Sequence, residues 1–451
     1  MEKLVGFDEL SKTITILRNL QELVMSLVTC DEVQVSDESR KLFDYFHQIS
    51  ISNNLAIYEG FIRLFVHFSV HFISKDDQKN QKIYLNILNE LISNHSLKTA
   101  FYPSSTLVSL FKLNKHFLLF MIKQGVIPVS SLKYEFLDDR FLFLFFVPEF
   151  RLDNKELYIE CKREFCLDSE YITLIYESTK QSDQKLQFGN KLDMFRECSY
   201  DYEPPDFELN LEVRQNIHSN GELSCIIRKD DLDSFIHFLT ENVKFSINSK
   251  ITPSFLENNC DINDGYKGIS LLEYSMAFGS INIFRYLWLN NVEYSEESLK
   301  YCIIGGNYEI LHILEEESKF KFTKESYLTS LKYYQSKISE YLRNSLGIDS
   351  PTLFKSFSLI NSTSNYEFLY KYFDNIINEI DCSNSQINEN YKLQEKLIES
   401  YLLSNKLFYA FYSFITQNPE VDINKKDKII ILFKFWDFYL PFIVLFYIKH
   451  V

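Results

Sequence analysis

The chain has 451 residues, enough for two or three domains or for one long solenoid without a closed core. Its 46% hydrophobic and 24% charged content is that of a folded protein and excludes disorder as the default state. A formal net charge of −15 argues against a nucleic-acid partner, since phosphate affinity comes from clustered Lys and Arg, and eight sparse cysteines make no disulfide framework, so reduced and mostly buried thiols are expected. From residue 7 to 28, Leu10, Ile14, Leu17, Leu20, Leu23, Val24 and Leu27 recur near helical spacing between polar residues. This is an amphipathic helix and not a secretory leader, which needs a basic end, a continuous apolar block and a small-residue cleavage site; the cytosol is the expected compartment.

Helical spacing continues through 36–49, 55–73, 78–93, 105–113 and 115–124, and no stretch alternates convincingly as a strand does. The expected class is therefore all-α. Residues 140–150 (RFLFLFFVPEF) are the most apolar block before the C-terminus, and at this length they read as a buried helix or core segment rather than a membrane span. Residues 200–209 carry Pro204 and Pro205 among acidic residues and read as an irregular connection. The expected organisation is an all-helical N-terminal domain over 1–205, helical repeats over 206–346, and degenerate or truncated repeats over 347–451.

The repeats show as one pattern written twice. Ala277, Gly279, Ile283, Phe284, Tyr286 and Leu287 have counterparts in Ile304, Gly306, Ile310, Leu311, Ile313 and Leu314, an offset of 27 residues. Self-similarity at roughly 20 to 50 residues marks stacked helical units, none of which covers its own apolar stripe. Residues 223–240 supply an earlier copy with Phe235, Ile236 and Leu239, followed by an insertion over 250–265, and residues 328–342 a degraded later one with Ile338 and Leu342. In the N-terminal half, 107–127 repeats the pattern weakly, with Asn114 in the Gly306 place. Gly279 and Gly306 fall where one helix ends and the chain reverses, a position that often requires positive φ.

The string GISLLEYSMAFGSINIFRYL resembles the ankyrin repeat in the order of its turn, first helix, glycine turn and second helix. On that resemblance Gly268 sits at the hairpin glycine, Ser270 at the threonine, Leu272 at the core leucine and Gly279 at the glycine between helices. Leu271 replaces the family's proline and Glu273 its histidine, which departs from the usual hydrogen-bond ladder along the stack. More closely, 107–342 resembles a large uncharacterised ankyrin-repeat family of trichomonad protists, in which an all-helical N-terminal domain precedes such repeats. That family brings no activity with it. What the resemblance implies is a divergent ankyrin-type solenoid that binds protein partners at its hairpin tips and the exposed face of its first helices. Those positions are Tyr266, Lys267, Glu273 and Tyr274 in one unit and Tyr294, Glu296, Glu297 and Lys300 in the next.

Other constellations point to no chemistry. His67 and His71 are four apart on a helix, a spacing that suits a shared metal, with no third ligand nearby. Cys161 and Cys166 lack the second pair that four-coordinate zinc needs, and no glycine elbow or phosphate loop occurs among the 11 glycines. No cofactor or metal is expected. The acidic runs 230–233 and 315–317 read as solvated helix ends, or as a rim that selects a basic protein partner.

The expected function is a non-catalytic protein-interaction scaffold. One alternative is a membrane-attached adaptor anchored by 429–448, a segment long enough at about 1.5 Å per residue to cross roughly 30 Å, although Lys434, Asp437 and Pro441 interrupt it. Residues 397–424 followed by that segment read instead as diverged or truncated repeats. An enzyme with its site in the N-terminal half is the remaining alternative; its structural sign would be a deep pocket with several convergent polar side chains.

Overall fold

The structure, a computed structural model, describes residues 7–73, 77–101, 103–176, 208–243, 245–263, 268–348 and 364–371. Most of the connection at 200–209, the positions Tyr266 and Lys267, the segment 397–424 and the proposed anchor 429–448 lie outside the described residues. No described helix is long and apolar enough to cross a membrane.

The chain is all-α. Its N-terminal block holds α1 (Phe7–Thr29), α2 (Val35–Gln48), α3 (Leu55–His71), α4 (Asp77–Asn94), α5 (Leu97–Ala100) and α6 (Ser104–Phe111). It continues through α7 (Lys115–Lys123), α8 (Lys133–Asp138), α9 (Arg140–Asp153), α10 (Lys155–Glu164) and α11 (Ser169–Tyr176). The stripe of α1 is buried at Ile14, Leu17, Leu20, Val24 and Leu27 and packs on α2 and α3. α3 is buried along nearly its whole length, and Gly60 lets α1 approach it: a Cβ there would lie 2.7 Å from Leu17 Cδ1. Asparagine starts several of these helices, with the Oδ1 atoms of Asn54, Asn114 and Asn154 accepting from the amides of Ile57, Phe117 and Leu157. Asn114 thus caps the N-terminus of α7 with φ −124° and does not fill the Gly306 role, because Gly306 closes the preceding helix in a left-handed conformation and leaves the next N-cap to Asn307.

Pro148 sits inside α9 and removes the amide that would bond the Leu144 carbonyl four residues back. The buried Tyr176 hydroxyl donates to that oxygen at 2.8 Å and to Phe145 O at 3.1 Å, so the proline leaves no orphaned acceptor.

The second half is a series of helix pairs: α12 (Glu222–Arg228) with α13 (Leu232–Glu241), α14 (Leu271–Ala277) with α15 (Ile281–Leu289), α16 (Leu299–Gly305) with α17 (Tyr308–Glu317), and α18 (Lys324–Lys332) with α19 (Ser336–Ser345). First helices pack on first helices in the order α12, α14, α16, α18, while α13, α15 and α17 form the parallel second row. The architecture is helical and repeat-like. Ile283, Phe284, Leu287, Ile310, Leu311, Leu314, Ile338 and Leu342 are all buried, whereas Ile236, the counterpart of Phe284 in the first pair, is 38% exposed where the stack begins.

Gly279 and Gly306 both have positive φ, at 66° and 65°, and link consecutive helices. Two-residue strands β1 (Lys250–Ile251) and β2 (Ile269–Ser270) pair antiparallel at the root of the insertion, in the register Lys250 with Ser270 and Ile251 with Ile269. They form the one sheet among the described residues.

The last three units each open on a hydroxyl cap. Ser270 accepts from Glu273 N while Glu273 Oε2 takes Ser270 N, and reciprocal boxes join Ser295 to Ser298 and Thr323 to Ser326. Between units, Asn307 Nδ2 donates to Gly279 O at 3.0 Å, Ser280 Oγ to Ile227 O at 2.6 Å, and Asp230 accepts from the amides of Asn282 and Ile283.

The acidic runs are therefore not free helix ends. Asp230 ties two units, Asp231 caps α13 through Ser234 N, Glu315 accepts from the Tyr341 hydroxyl and Glu317 from Trp288 Nε1. The thiols are also more open than expected: of the six described cysteines only Cys161 and Cys302 are buried, while Cys166 and Cys260 are exposed, and all six are free.

Candidate functional site

The residues expected to face a partner divide into three groups. Glu296 and Glu297 are exposed in the short turn before α16. Lys300 is half-buried, its ammonium 4.9 Å from the Tyr301 ring centroid.

The other described positions, Glu273, Tyr274 and Tyr294, are structural joints, and two corrections follow. Tyr274 is buried and not a surface residue: its hydroxyl accepts from Arg228 Nη1 at 2.8 Å, its ring tilts against Phe278, and burial pushes the phenol up to about 12. The helical spacing turns it toward the preceding unit, where Arg228 waits. Glu273 is half-buried and engaged twice, in the capping box through Oε2 and with Ser298 Oγ at 2.7 Å through Oε1. Through the second of these bonds Glu273 is tied to the next unit. Tyr294 is half-buried in a row of rings with Trp288 and Phe320, and its hydroxyl bonds Ser318 Oγ at 3.2 Å.

The insertion between the first two pairs carries a polar network that the sequence did not flag. Residues 254–263 reach back to α7, where Lys115 Nζ donates to Glu257 O at 2.6 Å and Lys115 N to Asn258 Oδ1 at 3.0 Å. His116 lies between two fixed partners: Nε2 donates to Asn216 O at 2.9 Å and Nδ1 accepts from Asn258 Nδ2 at 3.0 Å. Burial, then the Lys115 charge, lowers its pKa to about 3, so the ring is neutral. Burial would raise the Glu257 carboxyl, but the His218 charge and the hydrogen bond to His218 Nδ1 at 2.5 Å outweigh it and hold the group below the usual range.

A second part of the seam involves the fourth pair. His67 Nδ1 meets the Tyr334 hydroxyl at 2.9 Å, His71 Nδ1 meets His67 O at 2.9 Å, and the two rings stack at 4.0 Å. Burial lowers both pKa values, that of His71 to about 4, and no third His, Cys, Asp or Glu joins them among the described residues. Nearby, Asp261 accepts from Lys332 Nζ at 2.6 Å and from the Tyr333 hydroxyl at 2.7 Å. At the N-terminal side Gln21 in α1 donates to Asn365 Oδ1 at 3.1 Å and accepts from Tyr366 N at 2.6 Å.

Convergent polar groups at this junction, among them Asn80, His218, Glu257 and Asn259, line a cavity of about 30 Å³. A space of that size has room for about one water and is too small for a substrate. Cys161 is buried while Cys166 is exposed, so the two do not form a ligand pair; burial pushes the Cys161 thiol up to about 11.

No family model, curated protein or solved structure matches the chain.

Proposed function

We propose that the chain is a non-catalytic protein-interaction scaffold built on a divergent ankyrin-type stack. What supports the ankyrin reading is the recurring order of a hydroxyl-capped first helix, a turn and a second helix, with Gly279 and Gly306 left-handed at the turns of two units. One observation carries the functional reading: Glu296 and Glu297 stand exposed in the turn before a first helix, where such stacks meet partners, while the neighbouring groups are fixed by packing. Two free carboxylates on a chain of net charge −15 select a segment rich in Lys and Arg, and electrostatic complementarity of this kind sets partner choice and on-rate. The partner is a basic protein in the cytosol, and nucleic acid is repelled.

The test is affinity capture from the native cytosol with the full chain beside a Glu296→Lys, Glu297→Lys copy. Both side chains are exposed, so the altered copy keeps its melting curve. A protein retained by the first and lost from the second supports the scaffold; identical sets, or empty ones, reject this face.

A further inference from the structure

The cleft between α2 and α4 has a volume of about 740 Å³ and is walled by Ser39, Phe43 and His47 on one helix and Asn86, Glu90 and Asn94 on the other. Its polar groups take no part in the repeat stack. Glu90 Oε1 lies 3.8 Å from His47 Nε2 and 3.3 Å from Nε2 of His95, the residue that follows α4. One ligand atom from each of the three residues lies within 4.8 Å of the other two.

The trio has the marks of a built site. His95 is only 3% exposed, and its Nε2, 3.3 Å from Glu90 Oε1, has no partner in hydrogen-bond geometry. Its ring is fixed edge-on to Phe46 at 5.4 Å. Asn94 Nδ2 donates to Glu90 Oε2 at 2.8 Å, which turns Oε1 toward the two rings. An outer hydrogen bond of this kind orients a metal-binding carboxylate. At 3.3 Å with no aligned hydrogen bond between them, the His95 nitrogen and the Glu90 oxygen are both left short of a partner, and a cation between them satisfies both.

We propose that His47, Glu90 and His95 bind a divalent transition-metal ion of the zinc class, with a further coordination position open to the cleft. Tetrahedral zinc with bonds of roughly 2.0 to 2.1 Å places its ligand atoms about 3.3 Å apart. The Glu90 to His95 edge already has that length, and His47, 62% exposed, is free to turn inward. Two imidazoles select such an ion over calcium or magnesium, which prefer all-oxygen shells. Three protein ligands and one exchangeable position match the composition of sites where the metal holds a water or a ligand.

The test uses the full chain stripped with a chelator and titrated with Zn²⁺ by calorimetry, then with Co²⁺ by absorption. Wild type should bind one equivalent that both His47→Ala and Glu90→Gln lose or bind at least ~100-fold more weakly, in line with the loss of a metal ligand. The exposed His237→Ala control should keep it. The Co²⁺ form should show visible ligand-field bands without the near-ultraviolet charge transfer that thiolate ligands give. The metal-free variants should melt with the wild type, so lost binding is not lost folding. Equal stoichiometry and affinity in wild type and both variants, no bound ion in wild type, or an equivalent abolished by cysteine alkylation alone would overturn the assignment.

Discussion

Gly305 and Gly125 separate two reasons for a glycine. A Cβ on Gly305 would stand 2.0 Å from Met276 O and 2.9 Å from Gly279 N, both backbone atoms of the preceding unit that have no rotamer by which to retreat. Gly125 has φ 65° and open space around it, so alanine meets only the intrinsic left-handed penalty of about 1 to 2 kcal/mol. Gly125→Ala should lower unfolding free energy in urea by that amount. Gly305→Ala should cost about 3 kcal/mol or more, because the units must part to admit the methyl group. Equal denaturation midpoints would show that the first helices do not pack as closely as described. At this scale the sequence was a partial guide: the turns of Gly279 and Gly306 were legible from the repeat, whereas the close approach at Gly305 depends on which backbone lies opposite.

At the scale of elements the helices were legible because apolar spacing records burial on one face. The expected spans 7–28, 55–73 and 115–124 correspond to Phe7–Thr29, Leu55–His71 and Lys115–Lys123. Faces were harder to read. Tyr274 looked like a surface tyrosine, yet Arg228 lies 46 residues earlier and only the stacked arrangement brings the two together. The last three units also open on Ser or Thr followed three residues later by Glu or Ser, at 270, 295 and 323. That spacing was visible in the sequence and would have placed Glu273 and Ser298 in caps rather than on a free surface. His47 is remote in sequence from Glu90 and His95, and no local pattern joins them; only the packing of α2 on α4 does.

Over the whole molecule, the N-terminal block and the stack meet through neutral histidines, which makes the joint acid-sensitive. The folded pKa of His116 lies near 3 and that of His71 near 4, with His67 also well below its ordinary value, against about 6.5 when unfolded. These depressed values give stability that is full above about pH 6.5 and lost as pH falls toward 4, because the unfolded chain then binds more protons. Each histidine contributes up to about 1.4 kcal/mol per pH unit within that window. Glu257 and Asp261, held below the carboxylate range, act in the same direction at still lower pH. Urea melts from pH 7 to pH 4.5 should show the loss, and His116→Gln should flatten it; a pH-independent midpoint would mean that the seam is open to water.

The most direct test of the stack as the binding surface is site-specific photo-crosslinking in native cytosol, with the reactive side chain at position 296 in one copy and at position 152 in another. Leu152, in α9 of the N-terminal block, is 88% exposed and serves as the comparison. A scaffold that binds through its repeats gives a discrete protein adduct from 296 and none from 152. An adduct from 152 alone, or the same adduct from both, would contradict it and move the binding surface to the N-terminal block.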